Sequence, residues 1–218
     1  MTDPVYAILL ATLAGATIPL GAWLARFPGL FPAGVGDELR HAIVAFGGGA
    51  LLSAIALVLV PEGAERLPAH WALILFCAGG IVFGLIDHLL AQRGGHGAQF
   101  LAMMLDYLPE AMALGAMLTG DPHVALLLAG LIALQNLPEG FNAWREMAAG
   151  GDVPPRRFWL FLAMVPVGPL AAILGLAVLS NAQPVLGGIM IFSAGGILYL
   201  IFEDVAPVVP LQSRWAPP

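Results

Sequence analysis

Apolar positions in this chain do not alternate with polar ones; they run together in seven long stretches. The stretches fall at roughly 4–25, 42–61, 69–90, 99–118, 123–144, 157–180 and 184–205, separated by short connections rich in glycine, proline and charge. Each is close to the ~20 residues that an α-helix needs to cross a hydrocarbon core. Strands of a membrane barrel would alternate every second residue, whereas these runs are apolar all round. The pattern predicts an all-α polytopic transmembrane helical bundle of about seven spans, a single transmembrane domain over residues 1–218. The connections leave no room for a separate soluble domain.

Composition agrees. The chain is 60% hydrophobic and 10% charged, against about 25% charged in a typical soluble domain, so lipid is the expected solvent for most of its surface. A net charge of −6 with no basic run offers nothing to nucleic acid. The single cysteine, Cys77, excludes a disulfide framework and a CxxC metal site. The opening Met-Thr-Asp-Pro lacks the basic region of a cleaved signal peptide, so the first run reads as a retained span. Basic residues resist crossing the membrane. With the N-terminus outside, Arg26, Arg40, Arg93, Arg145, Arg156, Arg157 and Arg214 fall inside and only Arg66 falls outside. The expected topology in a cell (inner) membrane is therefore N-terminus out, C-terminus in. Small residues cluster within the spans, as in Gly47-Gly48-Gly49-Ala50, Gly80-x-x-x-Gly84 and Gly195-Gly196. They read as close-packing positions within the bundle, or at a homodimer seam.

Two spans break the apolar rule in related ways. The fourth carries Asp106-Tyr107-Leu108-Pro109-Glu110 and the fifth Gln135-Asn136-Leu137-Pro138-Glu139-Gly140. An i, i+4 spacing puts Asp106 and Glu110 on one helical face, and Gln135 and Glu139 on another. Asn136, three residues before Glu139, can share that face. All lie near the middle of consecutive antiparallel spans. An ionised carboxylate at that depth costs on the order of 2.5–3.5 kcal/mol on the more lenient scale. Three together also repel, so they call for a cation, bound protons or water; a divalent cation held by oxygens relieves both penalties. Pro109 and Pro138 release the carbonyls of Leu105 and Leu134 from the helical ladder, which is tolerated where backbone lines a cavity or is buried in protein. The plainer reading is that carboxylates and amides hydrogen-bond to lock two helices together.

Gln135-Asn-Leu-Pro-Glu-Gly140 resembles the signature of the ZIP (Zrt/Irt-like protein) divalent metal transporters. Asp106-Tyr-Leu-Pro-Glu110 sits where that family's fourth-helix His-Asn-x-Pro-Glu belongs. Leu59-Val-Pro-Glu-Gly63 and Gly195-Gly-Ile-Leu-Tyr-Leu-Ile-Phe-Glu-Asp204 resemble the family's second-span end and seventh helix. The resemblance implies a metal site made by Asp106, Glu110, Gln135 and Glu139, with Asn136 at a position that ligates a second ion. It also implies inward transport by movement of those helices as a block against a scaffold. The chain departs from the pattern in four places. Asp106 replaces a histidine, Tyr107 replaces an asparagine, and Gly168 stands where many members have glutamate. The family has eight helices where seven are found here. The changes at Asp106, Tyr107 and Gly168 make one site the safer expectation, with one or two ions both open.

An all-oxygen set of Asp, Glu, Gln and Asn is harder than a thiolate or histidine cage and suits Zn, Mn, Fe or Cd held with waters, as substrate rather than cofactor. No organic cofactor is expected. A protein that senses metal or conducts protons without metal flux is the alternative. Enzymatic chemistry is not expected, since there is no H-E-x-x-H and no serine or cysteine paired with a buried base. Of the remaining polar residues, Glu62, Glu65 and His70 read as a solvated outer loop. Asp87-His88 and Glu203-Asp204 read as span ends or as an exit relay. Met103, Met104, Met112 and Met117 read as packing.

Overall fold

The computed structural model describes residues 4–27, 36–92, 98–149 and 154–205. Arg93, His96, Asp204's side chain and Arg214 lie outside what is described. Every regular element among the described residues is helical. Seven helices are long and apolar enough to cross a membrane. They are labelled α1 (Pro4–Ala25), α2 (Gly36–Ala54, running on through a π-helical turn Ile55–Leu59 into Val60–Glu65), α3 (Ala69–Gln92), α4 (Ala98–Met117), α5 (Pro122–Ala149), α6 (Phe158–Leu174, then a π turn Gly175–Leu179) and α7 (Gln183–Leu200, then a π turn Ile201–Val205). The helices overrun several apolar stretches. α2 starts before residue 42, and α5 continues to Ala149 past Arg145 and Glu146. A helix is free to extend polar turns beyond the hydrocarbon, where the hydropathy signal ends.

Close packing is set by glycines that work in reciprocal pairs. A Cβ on Gly21 of α1 would strike the Leu137 carbonyl of α5, and one on Gly140 of α5 would strike the Ile18 carbonyl of α1. Gly115 of α4 and Gly175 of α6 meet Ala172 and Met112 carbonyls in the same way. Gly79 of α3 and Gly195 of α7 meet Phe192 and Phe76 carbonyls. In lipid, where apolar burial no longer drives helix association, such backbone contact supplies the dispersion that holds helices together.

The packing divides the bundle. α1 lies against α5 and α6, and α4 also lies against α5 and α6, giving one four-helix group. α3 packs on α7, with the end of α2 beside them. α2 touches α5, and α4 touches α7, along the seam between the groups. α3 is the most peripheral span. Only 11% of its apolar window is buried, against 56% for α4 and α5, so its outer face is presented to lipid.

Polar contacts pin the helix ends. Arg66 donates to Glu62 Oε2 at 2.7 Å and to Gln183 Oε1 at 2.8 Å, tying the end of α2 to the start of α7. Glu62 is thus held in an ion pair rather than displayed on a solvated loop. At the opposite end Tyr199 Oη donates to Asp87 Oδ2 at 3.3 Å, clipping α7 to α3, while His88 pairs with Gln92 along its own helix. At that same end Arg26 lies over the rings of Trp144 (5.6 Å) and Phe158 (5.2 Å), which join Phe100 and Phe161 in an aromatic plate under the four-helix group.

Candidate metal centre between the fourth and fifth spans

α4 and α5 lie side by side, and their polar faces meet. Asp106 (2% exposed), Glu110, Gln135 and Asn136 (each 0%) are buried. Glu139 is half-buried, with both carboxylate oxygens shielded from solvent. Gln135 Nε2 donates to Glu110 Oε2 at 2.6 Å, which joins the two helices directly. Glu139 interacts electrostatically with Asp106 and Glu110, so three carboxylates bear on one another. Among the described residues, no three His, Cys, Asp or Glu side chains already converge as a closed metal cage.

The unpaired atoms define the chemistry of the cluster. Asp106 Oδ1, Glu110 Oε1, Gln135 Oε1, Asn136 Oδ1 and both Glu139 oxygens are buried without an amide, hydroxyl or cationic donor, and the Asp106 and Glu139 carboxyls lie within hydrogen-bonding reach of each other. A buried, unmet polar atom costs about 1–3 kcal/mol, so native interiors keep few of them. Here they are concentrated in five residues, and every one is an oxygen acceptor. The chain has no lysine to satisfy them, and among the described residues no arginine forms a hydrogen bond or ion pair with the cluster. Oxygen acceptors without protein donors are what a hard or borderline cation takes as ligands.

Asn136 is turned partly away. Its Nδ2 donates to the Ala14 carbonyl of α1 at 3.2 Å. One residue along a helix is a rotation of about 100°, so Asn136, adjacent to Gln135, looks toward α1 more than toward Glu110. Its Oδ1 remains unpaired. Asn136 thereby serves as a strut from the cluster to α1 while keeping one acceptor free.

Tyr107 and Gly168, separate departures in the sequence, are one feature in the structure. Tyr107 is fully buried, and its hydroxyl donates to the Ala11 carbonyl at 3.3 Å. A Cβ on Gly168 of α6 would collide with that hydroxyl, and so would a Cβ on Gly15 of α1. The phenol fills a notch that exists because both positions lack side chains. A glutamate at 168 has no room while Tyr107 stands there. Ala11 and Ala14, one turn apart on α1, accept from Tyr107 and Asn136 respectively, so α1 is bonded to both α4 and α5.

Two polar residues escaped the sequence reading. Asn142, on α5, has its Oδ1 buried without a partner. Its spacing of three from Glu139 was a usable signal. Ser193 on α7 is 1% exposed and its hydroxyl is also unpaired; nothing in its local sequence sets it apart from a serine bonded to its own helix.

No protein-family profile matches the chain. It is similar to zinc transporter GufA of Myxococcus xanthus, 31% identical over 130 residues that cover 56% of this chain and 51% of that protein. The chain spans about half the length of this curated relative. Together with the seven apolar helices, this likeness supports an integral membrane protein that is similar, over part of its length, to a zinc transporter.

Proposed function

We propose that this protein carries divalent transition-metal cations (Zn, Mn, Fe or Cd) inward across the cell membrane by alternating access, with its N-terminus outside and C-terminus inside. Asp106, Glu110, Gln135 and Glu139 hold the ion at the midplane, and Asn136 lends its Oδ1. The observation that carries this reading is the concentration of buried oxygen acceptors without donors in those five residues. A merely structural lock would pair them. Gln135 is already arranged for both states: its amide N–H holds Glu110 while its Oε1 is unmet. One ion is the proposed occupancy, because Tyr107 fills the space beside the cluster.

A relative named as a zinc transporter puts zinc first among the candidate substrates. The donor set is all oxygen and amide, so binding should be weaker than in a thiolate site, which favours release as well as capture. Ligand carboxylates must give up any protons they hold when metal enters, so metal binding and proton release are coupled.

The test is uptake by purified protein in liposomes, using Zn²⁺, Cd²⁺, Mn²⁺ and Fe²⁺, beside Glu139→Ala and Asp106→Ala. Saturable uptake that both variants lose is the expected result. Binding without flux in the wild type would replace the transporter with a sensor. Proton flux without metal flux would replace it with a proton conductor, and absence of binding and of both fluxes would overturn the site itself.

A further inference from the structure

We infer that Asn142 is the first stepping-stone by which an ion leaves the midplane cluster, on a polar track along α5 toward the Arg145 end. The inference rests on the proposed transport reading and adds the route.

α5 advances about 100° and 1.5 Å per residue. On that geometry Gln135, Glu139, Asn142 and Glu146 fall within roughly 60° of one another, on one face and over about 16 Å of axis. The other half of the same face, running back toward Asp121, carries Leu128, Leu131 and Ile132, all buried. The face therefore changes character at Gln135. On one side it is sealed by branched aliphatics; on the other it offers an oxygen-bearing side chain at every turn, and Glu139, Asn142 and Glu146 are each partly exposed.

Two further facts separate a track from a chance stripe. Asn142 Oδ1 is buried without a donor, as are the oxygens of the cluster. A solvated surface asparagine would have no such atom. The aromatic plate at this end also leaves the face clear. Trp144 is nine residues from Gln135, about 180° around the helix, so its contacts with Arg26, Phe158 and Phe161 lie on the opposite side of α5. A neutral amide is well suited to this position. Its oxygen replaces part of the hydration shell at modest affinity, so the ion moves on rather than lodging in a second carboxylate cage.

The experiment uses the full chain in liposomes, with initial Zn²⁺ uptake and equilibrium Cd²⁺ binding measured on the same preparations. Asn142→Leu should slow uptake about tenfold, the scale on which ligand-supporting residues act, with the Cd²⁺ dissociation constant changed less than twofold. Asn142→Asp, which keeps an oxygen, should restore most of the rate. Wild-type uptake by Asn142→Leu would overturn the inference. So would equal loss of binding, since Asn142 would then belong to the cluster. As a readout independent of transport, Asn142→Cys in a Cys77→Ala background should react with a membrane-impermeant thiol reagent only from the Arg145 side, more slowly with Cd²⁺ present. Reaction from the other side, or from neither, would overturn the track. Absence of wild-type uptake with correct labelling would instead remove the transport reading and leave the track standing.

Discussion

Where α1 crosses α5 and where α4 crosses α6, glycines let backbone meet backbone, and the same device joins α3 to α7. The first group then adds buried polar bonds: Gln135 to Glu110, Asn136 to Ala14 and Tyr107 to Ala11. The α3–α7 pair adds the Tyr199–Asp87 clip near one end. Between the groups the packing is looser. A groove of about 220 Å³ lies where Gly21 and Leu24 of α1 and Pro138 of α5 face Ala42, Ile43 and Phe46 of α2. Another of about 600 Å³ lies where Leu105, Pro109 and Met112 of α4 face α3 and α7. Both grooves lie along the seam between the groups, although Gly47 of α2 packs closely on Pro138 of α5 there. Packed interiors resist deformation and interfaces between them shift, so the seam is the place where an alternating-access movement costs least.

The sharpest way to break this comparison is to add volume inside the sealed group and outside it. Gly168→Ala places a methyl against the Tyr107 ring and the Ala11 carbonyl, and overpacking of this kind costs about 1–3 kcal/mol. Gly49→Ala, with nothing within 4 Å of its Cβ, should be neutral or gain up to about 1 kcal/mol from helix propensity. Thermal unfolding in detergent should separate the two variants clearly. Tyr107→Leu combined with Gly168→Ala should recover part of the loss, and the coupling measures how far the two positions act as one. Equal, small effects at 168 and 49 would mean that the four-helix group is no more tightly sealed than its surroundings.

Much of this architecture was legible from residues alone. The seven spans followed from the length of the apolar runs, because a bilayer imposes that length on any helix that crosses it. The faces of Asp106/Glu110 and Gln135/Glu139 followed from helical spacing. What could not be read was which helix each residue meets. Gly21 and Gly140 look like any other small residues until α1 and α5 are laid together. Tyr107 and Gly168 show no relation along the chain because their contact is tertiary. Asn136 was placed with Glu139 by a spacing of three, but the same helix geometry leaves it about 60° away, near enough to α1 for the Ala14 carbonyl to claim its amide.

A milder perturbation addresses the seam. Val82 lines the larger groove from α3 and is 37% exposed. Val82→Trp fills space between α3 and α4 without touching the proposed metal-binding residues. We expect uptake to fall several-fold while equilibrium Cd²⁺ binding stays unchanged, since the groove changes shape only if the two groups move. Loss of binding in parallel with flux would show that the seam is part of the site's support rather than a sliding surface.

The smallest effect concerns the two kinds of unpaired buried atom. In the cluster, unmet oxygens are assigned to an ion. Ser193 of α7 is buried away from the cluster and lines the larger groove with no partner. Ser53 and Thr17 by contrast each bond a carbonyl of their own helix, and Thr119 bonds the Ala116 carbonyl just before it. If only the unmet atoms of the cluster and of Asn142 serve transport, Ser193→Ala removes a desolvated hydroxyl at no functional cost. It should leave uptake within twofold of wild type and raise stability by up to about 1 kcal/mol, toward the low end of what an unmet polar group costs. Thermal unfolding and Zn²⁺ uptake on the same sample decide the matter. A marked fall in uptake with unchanged stability would give the Ser193 hydroxyl a partner during the transport cycle. The freed Leu105 carbonyl of α4, which lines the same groove, is the nearest candidate by chemistry. The seam would then hold a polar latch, and the contrast between a polar group and an apolar one would fail at that point.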